Sequence, residues 1–479
     1  METVFTLPPL NPILPEILLL CIGLVLIGID LFFPRNRELL TRITLLAGVG
    51  LIAALLYQEP ASSFGTMFVV DSYALFFKVV CLTGLVLATL MSDRYLDMEG
   101  IHQGEYYSLM VFSVVGMMFM ASAGDLIVVY LGLELMALSI YCLVGLQKHE
   151  HRSNEAALKY FLMGSFSSAI LLFGISIVYG MTGTTDIRGI GQAITDMSLI
   201  NNPALMTGFV MILAGFCFKV AAAPFHFWAP DIYEGAPTSV TAFMSVAPKA
   251  ASFAVLGRIL FVAFPEIHHH WDIVVAVIAL LTMAVGNIMA LSQTSIKRML
   301  AYSSIGHAGY ALLGVLPGTA EGLSATMNYL LIYALMNMGA FAILILMCDK
   351  NNRRESLEAY KGLAGTNPMA AALMLIFFFS LAGIPPTAGF VGKFYLLKAA
   401  LAAGYTCTVV GAVLLSAVSA WFYLKVVRYM YMSEPGESFT ISYTPSLLVV
   451  VWIAVIGVVG LGIMPGTLLD WAASSLIGS

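Results

Sequence analysis

Residues 215–253 read GFCFKVAAAPFHFWAPDIYEGAPTSVTAFMSVAPKAASF. They place Lys219 and Lys249 in sequence otherwise apolar enough to lie in lipid, with Pro224 and His226 between them. An ionised side chain at the centre of a bilayer costs at least about 2.5–3.5 kcal/mol on insertion scales. Such groups face a bundle interior, pair with one another or line water, and by default they mark ion pathways. Pro224 adds a second signal. A proline inside a helix removes a hydrogen bond and clashes with the preceding turn, and at membrane depth such a break is tolerated only where protein buries it or it lines a cavity.

The surrounding chain supports the membrane reading. Of 479 residues, 60% are hydrophobic and 10% charged, against about 25% charged in an ordinary soluble domain. Apolar runs near the ~20-residue bilayer requirement recur throughout. They predict an all-α, polytopic membrane protein with about fourteen transmembrane helices, at 12–33, 40–57, 72–92, 106–122, 124–146, 159–180, 205–228, 237–263, 272–292, 300–316, 322–348, 369–403, 406–431 and 445–467. Two spans are expected to be broken: the seventh at Pro224, and the overlong twelfth at GIPPTAGF, residues 383–390. No linker divides the chain, which reads as a single transmembrane domain, 1–479. The charged stretch CDKNNRRESLEAYKGLAGTNP, residues 348–368, is expected to connect the eleventh and twelfth spans.

Basic residues set the orientation. Arg35, Arg37, Arg42, Arg94, Lys148, Arg152, Lys159, Lys297, Arg298, Lys350, Arg353, Arg354, Lys361, Lys425 and Arg428 fall on one side, and essentially Arg188 alone on the other. The basic loops are therefore expected in the cytoplasm, with both termini on the outer side. Several chemistries lose support. Cys21, Cys81, Cys142, Cys217, Cys348 and Cys407 are scattered singly, without zinc, iron–sulfur or disulfide spacing. No glycine-rich phosphate loop precedes a helix. Only His226 and His307 lie at membrane depth, too few for a two-haem cytochrome. His268–His270 is read as a solvated outer loop, favoured over a metal-binding reading, so no metal site is assigned. The opening METVFTLPPLNPILPEILLL lacks the basic stretch of a cleaved signal peptide.

Glu134, Lys219, Lys249 and Lys393 are the mid-span charges. Desolvation disfavours any charged side chain and an opposite charge restores it, so a carboxylate and an ammonium in one membrane form a two-state proton switch. Glu134 is expected to pair conditionally with Lys219. Lys249 is expected to be the central relay, reached through His226 and water, and Lys393 the outward exit group. His226 and His307 titrate in the physiological range and are candidate relays. Lys78 and Lys398 are read as snorkelling or packing, and Arg258, near the outer end of its span, as structural.

FKVAAAPFHFWAPDIYEGAPTSVTAFMSVAPKAASF, LSQTSIKRMLAYSSIGHAGY and SLAGIPPTAGFVGKFYLL resemble the antiporter-like membrane subunits of NADH-quinone oxidoreductase, respiratory complex I, over nearly the whole chain. The wording PFHFWAPDIYEGAP is similar to the bacterial subunit N branch. The resemblance implies two inverted five-helix repeats, each with one discontinuous helix, within 106–263 and 272–431, preceded by helices in 1–105 and followed by 432–479. It also implies that Glu134, Lys219, Lys249 and Lys393 carry protons. NADH oxidation and quinone reduction would then occur in partner subunits that hold FMN and iron–sulfur clusters, with no cofactor in this chain. The implied setting is the bacterial inner membrane, among other complex I membrane subunits. Two other readings are a subunit of a multisubunit cation/proton antiporter and a structural membrane scaffold.

Overall fold

In lipid no water satisfies backbone N–H and C=O groups, so long apolar runs become helices that satisfy their own. The computed structural model describes residues 8–33, 37–101, 104–348, 354–434, 441 and 443–477. In chain order the α-helices are α1 (Leu14–Phe32), α2 (Arg37–Leu55), α3 (Ser72–Met98), α4 (Glu105–Ala121), α5 (Leu126–Val144), α6 (His151–Thr182), α7 (Ile187–Asp196), α8 (Pro203–Lys219), α9 (Trp228–Gly235) and α10 (Thr238–Arg258). They continue with α11 (His268–Leu291), α12 (Ile296–Val315), α13 (Ala320–Met347), α14 (Leu363–Thr366), α15 (Pro368–Ala382), α16 (Ala388–Ala402), α17 (Thr406–Met432), α18 (Pro445–Ile463) and α19 (Gly466–Ser474). One small antiparallel hairpin pairs β1 (Ala61–Ser63) with β2 (Phe68–Val70).

Among the described residues, ten helices are long and apolar enough to cross a membrane, and α4, α8 and α15 are shorter apolar helices. The sequence tally of about fourteen is reached by adding these three and α12; length and composition by themselves establish the ten. Of the basic loop residues, Arg35, Lys350 and Arg353 lie outside the described residues. Two boundaries differ from expectation. The sixth span begins at His151, because its charged first turns are helical too. His268–His270 is not a loop but the first turn of α11.

Burial runs inward. The apolar windows of α10 and α13 are buried almost throughout, whereas those of α2, α17 and α18 are mostly exposed, with Leu46, Trp421 and Ile456 facing out. Without a hydrophobic drive between helices in lipid, association relies on close van der Waals contact through small residues. The α4–α5 crossing shows this: a Cβ on Gly116 would lie 2.5 Å from the Gly132 carbonyl oxygen.

Two buried ion pairs tie the N-terminal helices to this core. Lys78 Nζ lies 2.7 Å from Glu16 Oε1, with both side chains fully buried, so Lys78 does not snorkel as the sequence suggested. The pair is a close charge contact, not an aligned hydrogen bond, and Lys78 also sits 5.0 Å over the Phe68 ring. Arg258 makes a two-pronged contact with Asp71, at 2.9 and 2.8 Å. Asp71 also caps α3 through the Ala74 amide. Burial opposes the charged form of Asp71, but the Arg258 guanidinium and the capping amide outweigh it and hold the carboxyl below its usual range. Breaking a buried pair from one side strands a charge and costs about 3–5 kcal/mol. Asp71→Ala is therefore expected to lower stability by that amount, measured by unfolding in detergent. A group with a depressed folded pKa stabilises above its unfolded value and loses that contribution as pH falls through the folded one. The gap between wild type and Asp71→Ala should accordingly be full at neutral pH and close in acid. An unchanged unfolding midpoint at neutral pH would sink the expectation.

Candidate functional site

The seventh span stops at Lys219 and resumes at Trp228. The backbone groups freed by the break are satisfied by protein. Ala222 N–H donates to the Cys217 carbonyl, 2.8 Å. Trp228 Nε1 donates to the Phe218 carbonyl, 2.9 Å. Ala223 N–H donates to Thr282 Oγ1 on α11, 2.8 Å. Ala221 at the turn takes a positive φ of 59°, uncommon for a residue with a side chain. The twelfth span breaks between Ala382 and Ala388. Gly383, at φ 87°, closes α15 in the left-handed conformation that suits glycine. Both breaks fall where the prolines of the sequence implied.

Each break presents the C-terminal end of a half-helix to a lysine. Lys219 is the last residue of α8. Lys393, on α16, reaches back to donate to the Leu381 and Ala382 carbonyls at the end of α15, at 3.1 and 2.9 Å, and to Ser416 Oγ at 3.2 Å. A helix C-terminus carries partial negative charge, which favours an ammonium. Neither lysine holds a carboxylate: Lys219 Nζ has Ser168 Oγ at 3.4 Å, and Lys393 Nζ sits 4.7 Å over the Tyr310 ring.

Lys249 stands in the middle, on α10, one residue after Pro248. The proline does not break this helix. It frees the Met244 carbonyl, which accepts from Tyr233 Oη at 3.4 Å instead. Lys249 Nζ donates to the Ser304 carbonyl at 2.7 Å and contacts Ser304 Oγ on α12. Three residues on, along the same side of α12, His307 Nδ1 is 2.5 Å from Tyr329 Oη and its Nε2 is 3.2 Å from Tyr423 Oη. Tyr423 also contacts Ser303 and lies two turns from Ser416 on α17, the hydroxyl that holds Lys393. The polar side chains here fall into three hydrogen-bonded groups, Lys249 with Ser304, His307 with Tyr329 and Tyr423, and Lys393 with Ser416, the half-buried Ser416 lying about 10 Å of helix from Tyr423. Tyr333, the third aromatic ring around His307, lies 5.0 Å from it.

The other expectations fare unevenly. Glu134 and Lys219 do not form an ion pair here. Glu134 Oε1 is buried without a hydrogen-bond partner. The side chain is half-buried on α5, on the stripe with exposed Ile127, Leu131 and Leu138. His226 is buried in the first break, where its ring packs against Phe227 at 4.5 Å and its Nδ1 has no hydrogen-bond partner among the described residues, while the hydrogen bonds of Lys249 go to Ser304. Among the described residues no hydrogen-bonded side chain bridges Lys219 to Lys249, although α8 and α10 touch directly.

Lys297 is a residue the sequence reading treated only as a loop charge. It is fully buried, donating to the Glu234 and Ala236 carbonyls at the end of α9, at 3.1 and 2.7 Å. It also lies 3.4 Å from Glu355 of the connector. Beside it Arg298 pairs with Glu234 and, at 3.2 Å, with Asp231. This knot anchors the lower half of the first broken helix to α12. The polar groups between Lys249 and Lys393 were readable in part: Ser303, Ser304, His307 and Tyr310 recur at helical spacing, as do Thr326, Tyr329, Tyr333 and Asn337.

A many-span helical bundle with buried cations strung between two discontinuous helices defines a membrane protein of the ion-translocating class. The chain belongs to the NADH:quinone oxidoreductase/Mrp antiporter transmembrane family, whose model matches residues 123–419. NADH-quinone oxidoreductase subunit N of Desulfovibrio desulfuricans is 50% identical, over 97% of this chain and 96% of that protein. The subunit N of Trichlorobacter lovleyi is 45% identical, over 98% and 97%. A chain in the solved structure of respiratory complex I from Thermus thermophilus with bound aureothin is 33% identical, with a TM-score of 0.82, covering 96% of this chain and 99% of that one.

Proposed function

We propose that this chain is a subunit N-type membrane-arm subunit of NADH-quinone oxidoreductase that translocates protons. The observation that carries the reading is the string of polar groups from Lys249 and Ser304, past His307 and Tyr423, to Ser416 and Lys393, flanked by Lys219 at the first break. Each member can hold or pass a proton, and none needs an electron carrier in this chain. The enzyme activity belongs to the assembly. FMN and iron–sulfur clusters reside in partner subunits, which oxidise NADH and reduce quinone, and this chain takes up the coupled proton movement. Moving a charge against about 100 mV requires about 2.3 kcal/mol, which the redox partners supply.

Glu134 supports the partner side of the reading. A half-buried carboxylate on an exposed apolar stripe is costly against lipid, so a neighbouring membrane subunit covering α5 and facing Glu134 with a cation completes that site. The setting is the bacterial inner membrane, with basic loops cytoplasmic and both termini outside. The test is purification in mild detergent followed by reconstitution. NADH-driven acidification of vesicles, with complex I subunits copurifying, supports the reading. Sodium-dependent turnover with copurifying antiporter subunits favours the cation/proton antiporter alternative.

A further inference from the structure

We infer that His268, His269 and Asp272 form a site for a transition-metal divalent cation of the Zn2+ class at the outer end of the bundle. The three side chains occupy the first turn of α11, and their ligating atoms all lie within 4.8 Å of one another. His268 and His269 each share a face with Asp272, at i+4 and i+3, so the carboxylate is the member that both imidazoles can meet. Tetrahedral zinc with ligand bonds near 2.0–2.1 Å holds its donors about 3.3 Å apart. The donors lie wider than this, and the exposed His269 is the side chain with room to move toward the other two.

What separates this cluster from a chance surface group is that two of its members already have the outer partners that metal ligands use. His268 Nε2 lies 3.1 Å from the Leu316 carbonyl. A carbonyl only accepts, so the ring proton sits on Nε2 and the lone pair on Nδ1 is free to ligate. A metal-bound histidine usually donates its other ring N–H to a carbonyl or carboxylate, which fixes tautomer and orientation. The ring is further held edge-on by Trp271 at 4.4 Å and lies over Gly318, where a Cβ would come within 2.7 Å of it. Asp272 Oδ2 accepts from Tyr405 Oη at 3.0 Å, leaving lone pairs for a cation. These outer partners lie on different elements: Leu316 and Gly318 at the α12–α13 turn, and Tyr405 at the α16–α17 turn. A bound ion therefore ties three outer turns together, at the ends of the helices that carry His307, Lys393 and Ser416.

The donor set chooses the cation. Two neutral imidazoles and one carboxylate suit Zn2+, Co2+ or Ni2+, whereas Ca2+ and Mg2+ require oxygen ligands. Three protein ligands leave one position for water. The N-terminus of α11 carries partial positive charge, which works against any cation there. The site is consequently weaker and more exchangeable than a closed structural zinc site.

The test is a Zn2+ titration of the full chain in detergent after chelator treatment, by competition with a chromophoric chelator, alongside a Co2+ titration read by visible absorption. One equivalent is expected, with Mg2+ and Ca2+ failing to compete. Asp272→Asn and His269→Ala are each expected to weaken binding at least tenfold. Tyr405→Phe, which removes only an outer partner, should weaken it about tenfold. His269 is exposed and packs little, so its variant reports on binding even if His268→Ala folds poorly. Equal affinity in wild type and Asp272→Asn overturns the proposal. A loss on replacing exposed His270 as large as that on replacing His269 also overturns it, because binding is then that of scattered surface imidazoles.

Discussion

Lys249→Met is expected to slow proton transfer through this chain about a hundredfold while the complex still assembles. Methionine matches the length and apolar stem of lysine, so α10 keeps its packing at a position only 2% exposed. What disappears is the one ammonium that meets Ser304 on α12. A proton crossing the same region must then be carried in a buried, apolar setting without a resident base. The least penalty for such a charge, about 2.5–3.5 kcal/mol, corresponds to roughly a hundredfold in rate at about 1.4 kcal/mol per decade. Among the described residues Lys249 Nζ contacts Ser304 and makes no ion pair, so the substitution strands no carboxylate. Ser304 turns back to its own helix, so stability should change little. The measurement is proton uptake and NADH:quinone turnover by the same reconstituted vesicles, with a native gel to show assembly. Coupling requires both rates to fall together. Undiminished uptake in an assembled variant would remove Lys249 from the path.

Why Lys249 was legible and its neighbours were not follows from where the information lies. A lysine within an apolar span is conspicuous one residue at a time, because its cost is local; the same is true of a proline at a helix break. Lys219, Lys249, Lys393 and both discontinuities therefore stand out from the chain alone. Pairing is not local. Lys78 passes for a snorkelling lysine until Glu16, on another helix, is seen against it, and Lys297 looks like an ordinary cytoplasmic charge until the end of α9 closes over it. The hydroxyls of Ser416 and Tyr423 carry no penalty large enough to be noticed singly. They acquire meaning only when α17 lies beside α12 and α16. His226 stands differently: its nearness in sequence to Pro224 and Lys219 suggested a relay, and in the fold its ring packs against Phe227 with no direct hydrogen bond to a lysine among the described residues.

Lys393 carries the second large effect, and here the informative comparison is between two replacements. Lys393→Ala removes both the proton carrier and the cap on the Leu381 and Ala382 carbonyls. Buried acceptors left unpaired cost about 1–3 kcal/mol, so this variant is expected to lose pumping and some stability together. Lys393→Arg separates the two roles. Its guanidinium can still donate to the end of α15, where the helix dipole favours a cation, so the break should hold and the complex should assemble. Arginine hardly gives up its proton in any protein setting. A fixed charge at this position also raises the cost of bringing a second proton to Lys249, since like charges in a low-dielectric interior repel strongly. Lys393 lies past the break, with nine residues, about 14 Å of helix, left before α16 ends at Ala402. The expected result is an assembled, thermally normal Lys393→Arg complex with pumping reduced as far as in Lys393→Ala. Full pumping by the arginine variant would mean that this position only caps the broken helix, and that protons leave the string of polar groups before reaching it.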